Sequence, residues 1–141
     1  MARLARSPGE LLLALRVLLV AVSAPLIARL PLPRQEALLE PRNPAPPDPQ
    51  REAWLVANVD RLLSAGRPVV RAGCLTRGLT YYFFLRRAGV DVELRYGLAP
   101  PIGENDGHCW LVRDGEPFLE RVDPRGRYVE TYSIPRAQTP A

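Results

Sequence analysis

The sequence predicts an α+β fold, on two observations. Apolar residues recur at helical spacing up to residue 88 and then, beyond Gly89, switch to a period of two. The turn-forming residues after that point separate short extended runs rather than further helices, so helices come first and an antiparallel sheet follows.

Residues 1–40 form an apolar N-terminal segment. Leu11 to Ile27 is apolar except for Arg16 and Ser23, with Pro25 inside it and Arg3 and Arg6 before it. A membrane span needs about 20 apolar residues, and an Arg near its centre costs about 2.5–3.5 kcal/mol. A signal peptide fits no better, because Arg16 splits the apolar core and Pro25 would follow a cut after Ala24. The favoured reading is a helix retained in the mature chain, which packs on the domain or touches a membrane surface through residues 10–30. The expected location is therefore cytoplasmic, with or without membrane association.

Residues 41–50, PRNPAPPDPQ, hold five prolines in ten positions. Each Pro removes a backbone donor and fixes φ, so this is an extended linker or surface strap. The folded domain is expected over 51–135, with 136–141 as a tail.

Within that domain Trp54, Leu55, Val59, Leu62 and Leu63 have near-helical spacing, which Gly66 and Pro68 stop. A second helix is expected from Cys74 to Ala88, ended by Gly89. On a helical wheel Cys74, Gly78, Leu85, Tyr82, Leu75 and Leu79 share one arc, while Arg77, Thr80 and Arg87 fall on the other side. Val92, Leu94 and Tyr96 then alternate with charged residues as a half-buried strand. Gly97 to Gly107 reads as a loop, His108 to Val122 as a hairpin turning at Asp114-Gly115, and Arg127 to Ile134 as a further strand.

All 19 basic residues are Arg. A Schiff-base lysine, an active-site Lys base and a Walker-type phosphate loop are thus excluded. The net charge of +4 is spread along the chain and gives no nucleic-acid footprint. Two cysteines and one histidine exclude a zinc ribbon or finger, and no clustered ligand spacing supports a metal site or any cofactor.

The chemical signal is a Cys opening a helix, a His on a strand and an acid on the next strand. The free N–H groups and positive end of a helix favour a thiolate over a thiol, and can later hold an oxyanion. An imidazole beside it takes the proton and returns it to the leaving group. An acid behind the imidazole fixes its tautomer. Cys74 and His108 fill the first two roles. Hairpin register selects the acid. A two-residue Asp114-Gly115 turn puts Glu120 opposite Cys109. A three-residue loop of Arg113, Asp114 and Gly115, with Gly115 left-handed, puts Glu120 opposite His108 and pairs Cys109 with Leu119 and Trp110 with Phe118. Both are chemically permitted. The second is preferred because it buries Cys109, Leu111 and Leu119 together, and Asp123 is the fallback acid. Cys109 reads as a core residue, and a Cys74–Cys109 disulfide is disfavoured.

The run AGCLTRGLTYYFFLRRAGVDVELRYGL followed by GHCWLVRDGEPFLE resembles the transglutaminase-like domain of the lasso-peptide maturation proteases. The resemblance covers about Arg71 to Glu120. It implies a papain/transglutaminase-like fold in which N-terminal helices pack on a small antiparallel sheet. It also implies a catalytic Cys74, His108 and Glu120, no cofactor, and a peptide substrate from which a leader is removed after delivery by a separate recognition protein. Three departures bear on the substrate: Cys109 where the family usually has Ala, Glu120 where it usually has Asp, and a long Gly97–Gly107 loop. The expected chemistry is amide cleavage through a thioester on Cys74. Acyl transfer on the same thioester and a non-catalytic peptide-binding module are the rival readings. Retention of the Cys, the His and an acid together speaks against the last.

Overall fold

The computed structural model describes residues 6–43, 45–71, 73–100 and 107–135. Four helices precede four strands: α1 (Pro8–Ile27), α2 (Leu32–Leu39), α3 (Pro49–Ala65), α4 (Cys74–Arg87), β1 (Glu93–Leu98), β2 (Gly107–Arg113), β3 (Glu116–Phe118) and β4 (Val129–Ile134). The strands form one antiparallel sheet in the order β3-β2-β1-β4. The α+β architecture is the one the change of period predicts.

Helix α4 is the hub, with α1, α2, α3, β1 and β2 all packed against it. That explains the burial of Thr80, which the wheel placed on the outer side. With neighbours all round, α4 has no solvent face along its middle, and Thr80 satisfies its hydroxyl by donating to the Thr76 carbonyl at 2.7 Å. The helix ends as expected at a left-handed Gly89 (φ 77°). Gly89 N–H donates to Arg86 O and Val90 N–H to Leu85 O, the paired bonds of a Schellman stop. The proline strap crosses this helix end. Asp48 N–H donates to Ala88 O, and a Cβ at Gly89 would lie 2.5 Å from Pro46 O.

Helix α1 buries Leu13, Ala14, Val17, Ala21 and Ala24 in the same core cluster as α3, α4 and the sheet. Its opposite side leaves Leu11, Leu12, Leu15, Leu19, Val22 and Leu26 exposed in a continuous stripe, Leu19 at 67%. Ser7 caps α1 and Asp48 caps α3, each accepting a backbone N–H. Gln35, buried after the α1–α2 turn, donates to Leu30 O and accepts from the Tyr96 hydroxyl, which ties α2 to β1.

The sheet departs from expectation in two places. The Gly97–Gly107 stretch is not loop throughout, because β1 continues to Leu98 and β2 starts at Gly107; 101–106 lie outside the described residues. The hairpin turns at Asp114-Gly115 as expected, but as a two-residue turn with both residues at positive φ (53° and 79°). Leu111 pairs with Phe118, Val112 with Pro117 and Arg113 with Glu116, so the preferred three-residue register is incorrect. Two left-handed turn residues match the twist of the flanking strands, and the Asp-Gly pair supplies them directly.

Gly78 sits where α4 approaches β2. A Cβ there would lie 2.6 Å from Cys109 Sγ and 3.0 Å from Leu94 Cδ1. Gly78→Ala should therefore destabilise by about 1–3 kcal/mol of overpacking, offset by about 1 kcal/mol of helix propensity. In a Cys109→Ala background the same change should instead stabilise. Urea unfolding of the four proteins in this cycle tests it, and additive effects would exclude the Gly78–Cys109 contact as the cause.

Candidate active site

Cys74 is the first residue of α4 and is partly exposed. Its N-cap is Gly73, with extended backbone and no side-chain cap, unlike the Ser7 and Asp48 caps of α1 and α3. Among the described residues no side chain caps the first-turn N–H groups beside the sulfur, which suits them to an incoming anion.

His108 is the second residue of β2 and Cys109 the third. Alternation along the strand sends Cys109 and Leu111 into the core cluster against α4, while His108 and Trp110 take the other face. The His108 ring stacks on Tyr128 (centroids 5.0 Å apart) and on Trp110 (5.9 Å apart, planes 15° from parallel). Trp110 in turn has room because residue 97 is Gly; a Cβ there would be 2.8 Å from the indole. The imidazole is thus held in a fixed plane by rings on both of its neighbours.

Glu120 reaches His108 by a different route from the one the register argument gave. Continued pairing of β3 would bring Glu120 opposite Cys109. Instead β3 ends at Phe118, Leu119 turns left-handed (φ 61°), and the chain leaves the sheet. The turn brings Glu120 Oε1 within 3.5 Å of His108 Nε2, with both side chains largely covered (13% and 23% exposed). A carboxylate on Nε2 leaves Nδ1 as the nitrogen able to serve a nucleophile. Asp123, the fallback acid, is exposed and spent on Arg125. It accepts that residue's backbone N–H and its guanidinium, whose bonds hold the carboxyl below its usual range.

Cys74, His108 and Glu120 line one cleft of about 720 Å³, together with Asp60, Arg67, Arg77, Leu119, Arg121 and Tyr128 among others. The sulfur of Cys109 lies beneath it, 3.7 Å from the Cys74 carbonyl oxygen, and both thiols are free. Burial, then the nearby Cys74 and Glu120, push the Cys109 thiol well above its ordinary value, so it stays protonated and inert.

Arg77, one turn along α4 from Cys74, is the cleft residue that the wheel argument passed over as an outward-facing charge. Its Nε donates to Asp60 Oδ1 at 2.8 Å and its Nη2 to the Leu119 carbonyl at 2.8 Å. Tyr81 donates its hydroxyl to Asp60 Oδ2 at 3.0 Å. Burial works against the Arg77 charge, but the Asp60 carboxylate outweighs it and holds the guanidinium above its usual value. The spacing Cys-x-x-Arg was the available signal, since i and i+3 share a helix face.

Among the described residues no cluster of His, Cys, Asp and Glu could hold a metal ion. No curated protein and no solved structure matches the chain. A model of the transglutaminase-like superfamily matches residues 12–133.

Proposed function

The chain belongs to the transglutaminase-like superfamily, which commonly includes cysteine peptidases and acyl transferases, and from that premise we propose that it cleaves peptide amide bonds with Cys74 as nucleophile. The observation that carries the reading is the meeting of Cys74, His108 and Glu120 on one cleft, from the start of α4, from β2 and from the turn after β3.

In the proposed cycle His108 Nδ1 takes the thiol proton as Cys74 Sγ attacks the substrate carbonyl. The oxyanion rests on the uncapped first turn of α4. The imidazolium returns its proton to the departing amine, the C–N bond breaks, and a thioester remains. Water, deprotonated by the same imidazole, then hydrolyses the thioester and restores the thiol. Glu120 keeps the ring oriented and offsets its charge throughout. An amine in place of water would give acyl transfer from the same intermediate.

The substrate we propose is a ribosomally made precursor peptide that loses its leader, presented by a separate leader-recognition protein. The supporting residues are those of the Arg71–Glu120 resemblance, and the cleft of about 720 Å³ beside Cys74 has room for peptide residues. The exposed leucine stripe of α1, flanked by the exposed Arg16, supports a cytoplasmic location in contact with a membrane surface as part of this proposal.

Reactivity tests the nucleophile without knowledge of the substrate. At neutral pH iodoacetamide should label Cys74 about tenfold or more faster than Cys109, read by peptide mass spectrometry. Equal labelling, or preference for Cys109, would remove Cys74 from its role. Product analysis on a precursor peptide, a free carboxylate against a new amide, separates hydrolysis from transfer.

A further inference from the structure

Glu120 stands beside His108 because of one backbone residue. Sheet pairing stops at Phe118, and Leu119, with φ 61°, turns the chain towards His108. Left-handed backbone is unfavourable for a residue with a Cβ, and Leu has no short polar side chain to compensate locally, as Asp114 has in the hairpin turn. Something outside the segment must hold it. The Leu119 carbonyl accepts from Arg77 Nη2 across 42 residues of sequence. Arg77 is in turn clamped by Asp60 of α3, whose carboxylate accepts from Nε and from the same Nη2, and which Tyr81 of α4 also holds.

We propose that Arg77 is the positioning residue of this site, locking Leu119 in its left-handed turn so that Glu120 meets His108. This rests on the orienting role given to Glu120 above. The geometry needs the planar guanidinium, because its Nε–Nη2 edge faces a carboxylate while Nη2 also serves a carbonyl at a fixed angle. Arg77 also stands one helical turn from Cys74, so α4 carries both the nucleophile and the arm that sets the acid. The Arg77–Asp60 pair is not a surface ornament on this account. It is the link through which α3 and α4 fix the end of β3.

The test uses the full chain and the variants Arg77→Gln, Leu119→Gly and the double variant, with Asp60→Asn as a milder second probe at a half-exposed side chain. Arg77→Gln should lower kcat on a peptide substrate about 30-fold with KM changed less than about twofold, since a displacement of about 1 Å costs up to about 100-fold. Without any substrate, Cys74 alkylation at pH 6 should slow about tenfold while the rate at pH 9, where the thiolate needs no help, stays within about twofold. Gly adopts positive φ without strain, so in the Leu119→Gly background the Arg77→Gln loss should shrink to about threefold. Asp60→Asn should move kcat and the pH 6 rate in the same direction by about fivefold.

An equal Arg77→Gln loss in both backgrounds would overturn the proposal, because Arg77 would then act without Leu119. So would an unchanged kcat in both Arg77→Gln and Asp60→Asn, or an increase confined to KM, which would make Arg77 a substrate contact. Cys74 no more reactive than Cys109 in the unaltered protein would overturn both this proposal and the catalytic reading beneath it.

Discussion

Cys74→Ala is expected to lower peptide cleavage by about four to six orders of magnitude, because no other group can form the thioester. The fold should survive the change. Cys74 is only partly buried and lies at the start of α4, where Ala is as acceptable as Cys. Thermal unfolding and far-ultraviolet circular dichroism should therefore match the unaltered protein, while cleavage followed by mass spectrometry falls to background. Cys109→Ala gives the matching control, since that thiol is buried in the core against Gly78 and kept protonated. Cleavage that persists in Cys74→Ala and disappears in Cys109→Ala would reverse the assignment.

Glu120→Gln carries the second-largest expected effect, a fall in kcat of about 10²- to 10⁴-fold. An amide can still touch the ring, but it cannot stabilise an imidazolium, and it can hold the wrong tautomer. Asp123→Asn should stay within about twofold, as loss of an exposed ion pair rarely matters and Asp123 faces Arg125 rather than His108. Steady-state kinetics on one peptide compares the two directly. A larger loss in Asp123→Asn would transfer the orienting role and refute the contact at 3.5 Å as the functional one.

What could be read from residues alone was what local physics decides. Apolar spacing and the stops at Gly66 and Gly89 mark α3 and α4 to within two residues, and Asp114-Gly115 marks the hairpin turn. Nucleation of each of these needs only near neighbours. The strand register was not legible in the same way. Asp-Gly serves a two-residue and a three-residue loop alike, and the burial argument that chose between them assumed that β3 runs on past Phe118. It does not, because Leu119 adopts a conformation that its own side chain disfavours, held by an arginine far away in sequence. Thr80 misled for a related reason. A wheel assigns one face to the core, whereas α4 is wrapped on every side. Arg77 was hidden by the habit of reading charge as solvent-facing.

The site is built from parts of unequal firmness. Cys74 belongs to a helix enclosed by three other helices and two strands, whose amide protons should exchange with solvent only when the whole molecule opens. Glu120 follows a three-residue edge strand and precedes an exposed stretch that includes Val122, at 79%, and needs only a local opening to swing free. Warming should therefore separate the acid from the imidazole while the cysteine is still seated. The proposed activity should then fade over a temperature range in which the protein is still folded by every global measure, and the width of that range is set by how tightly the end of β3 is tethered.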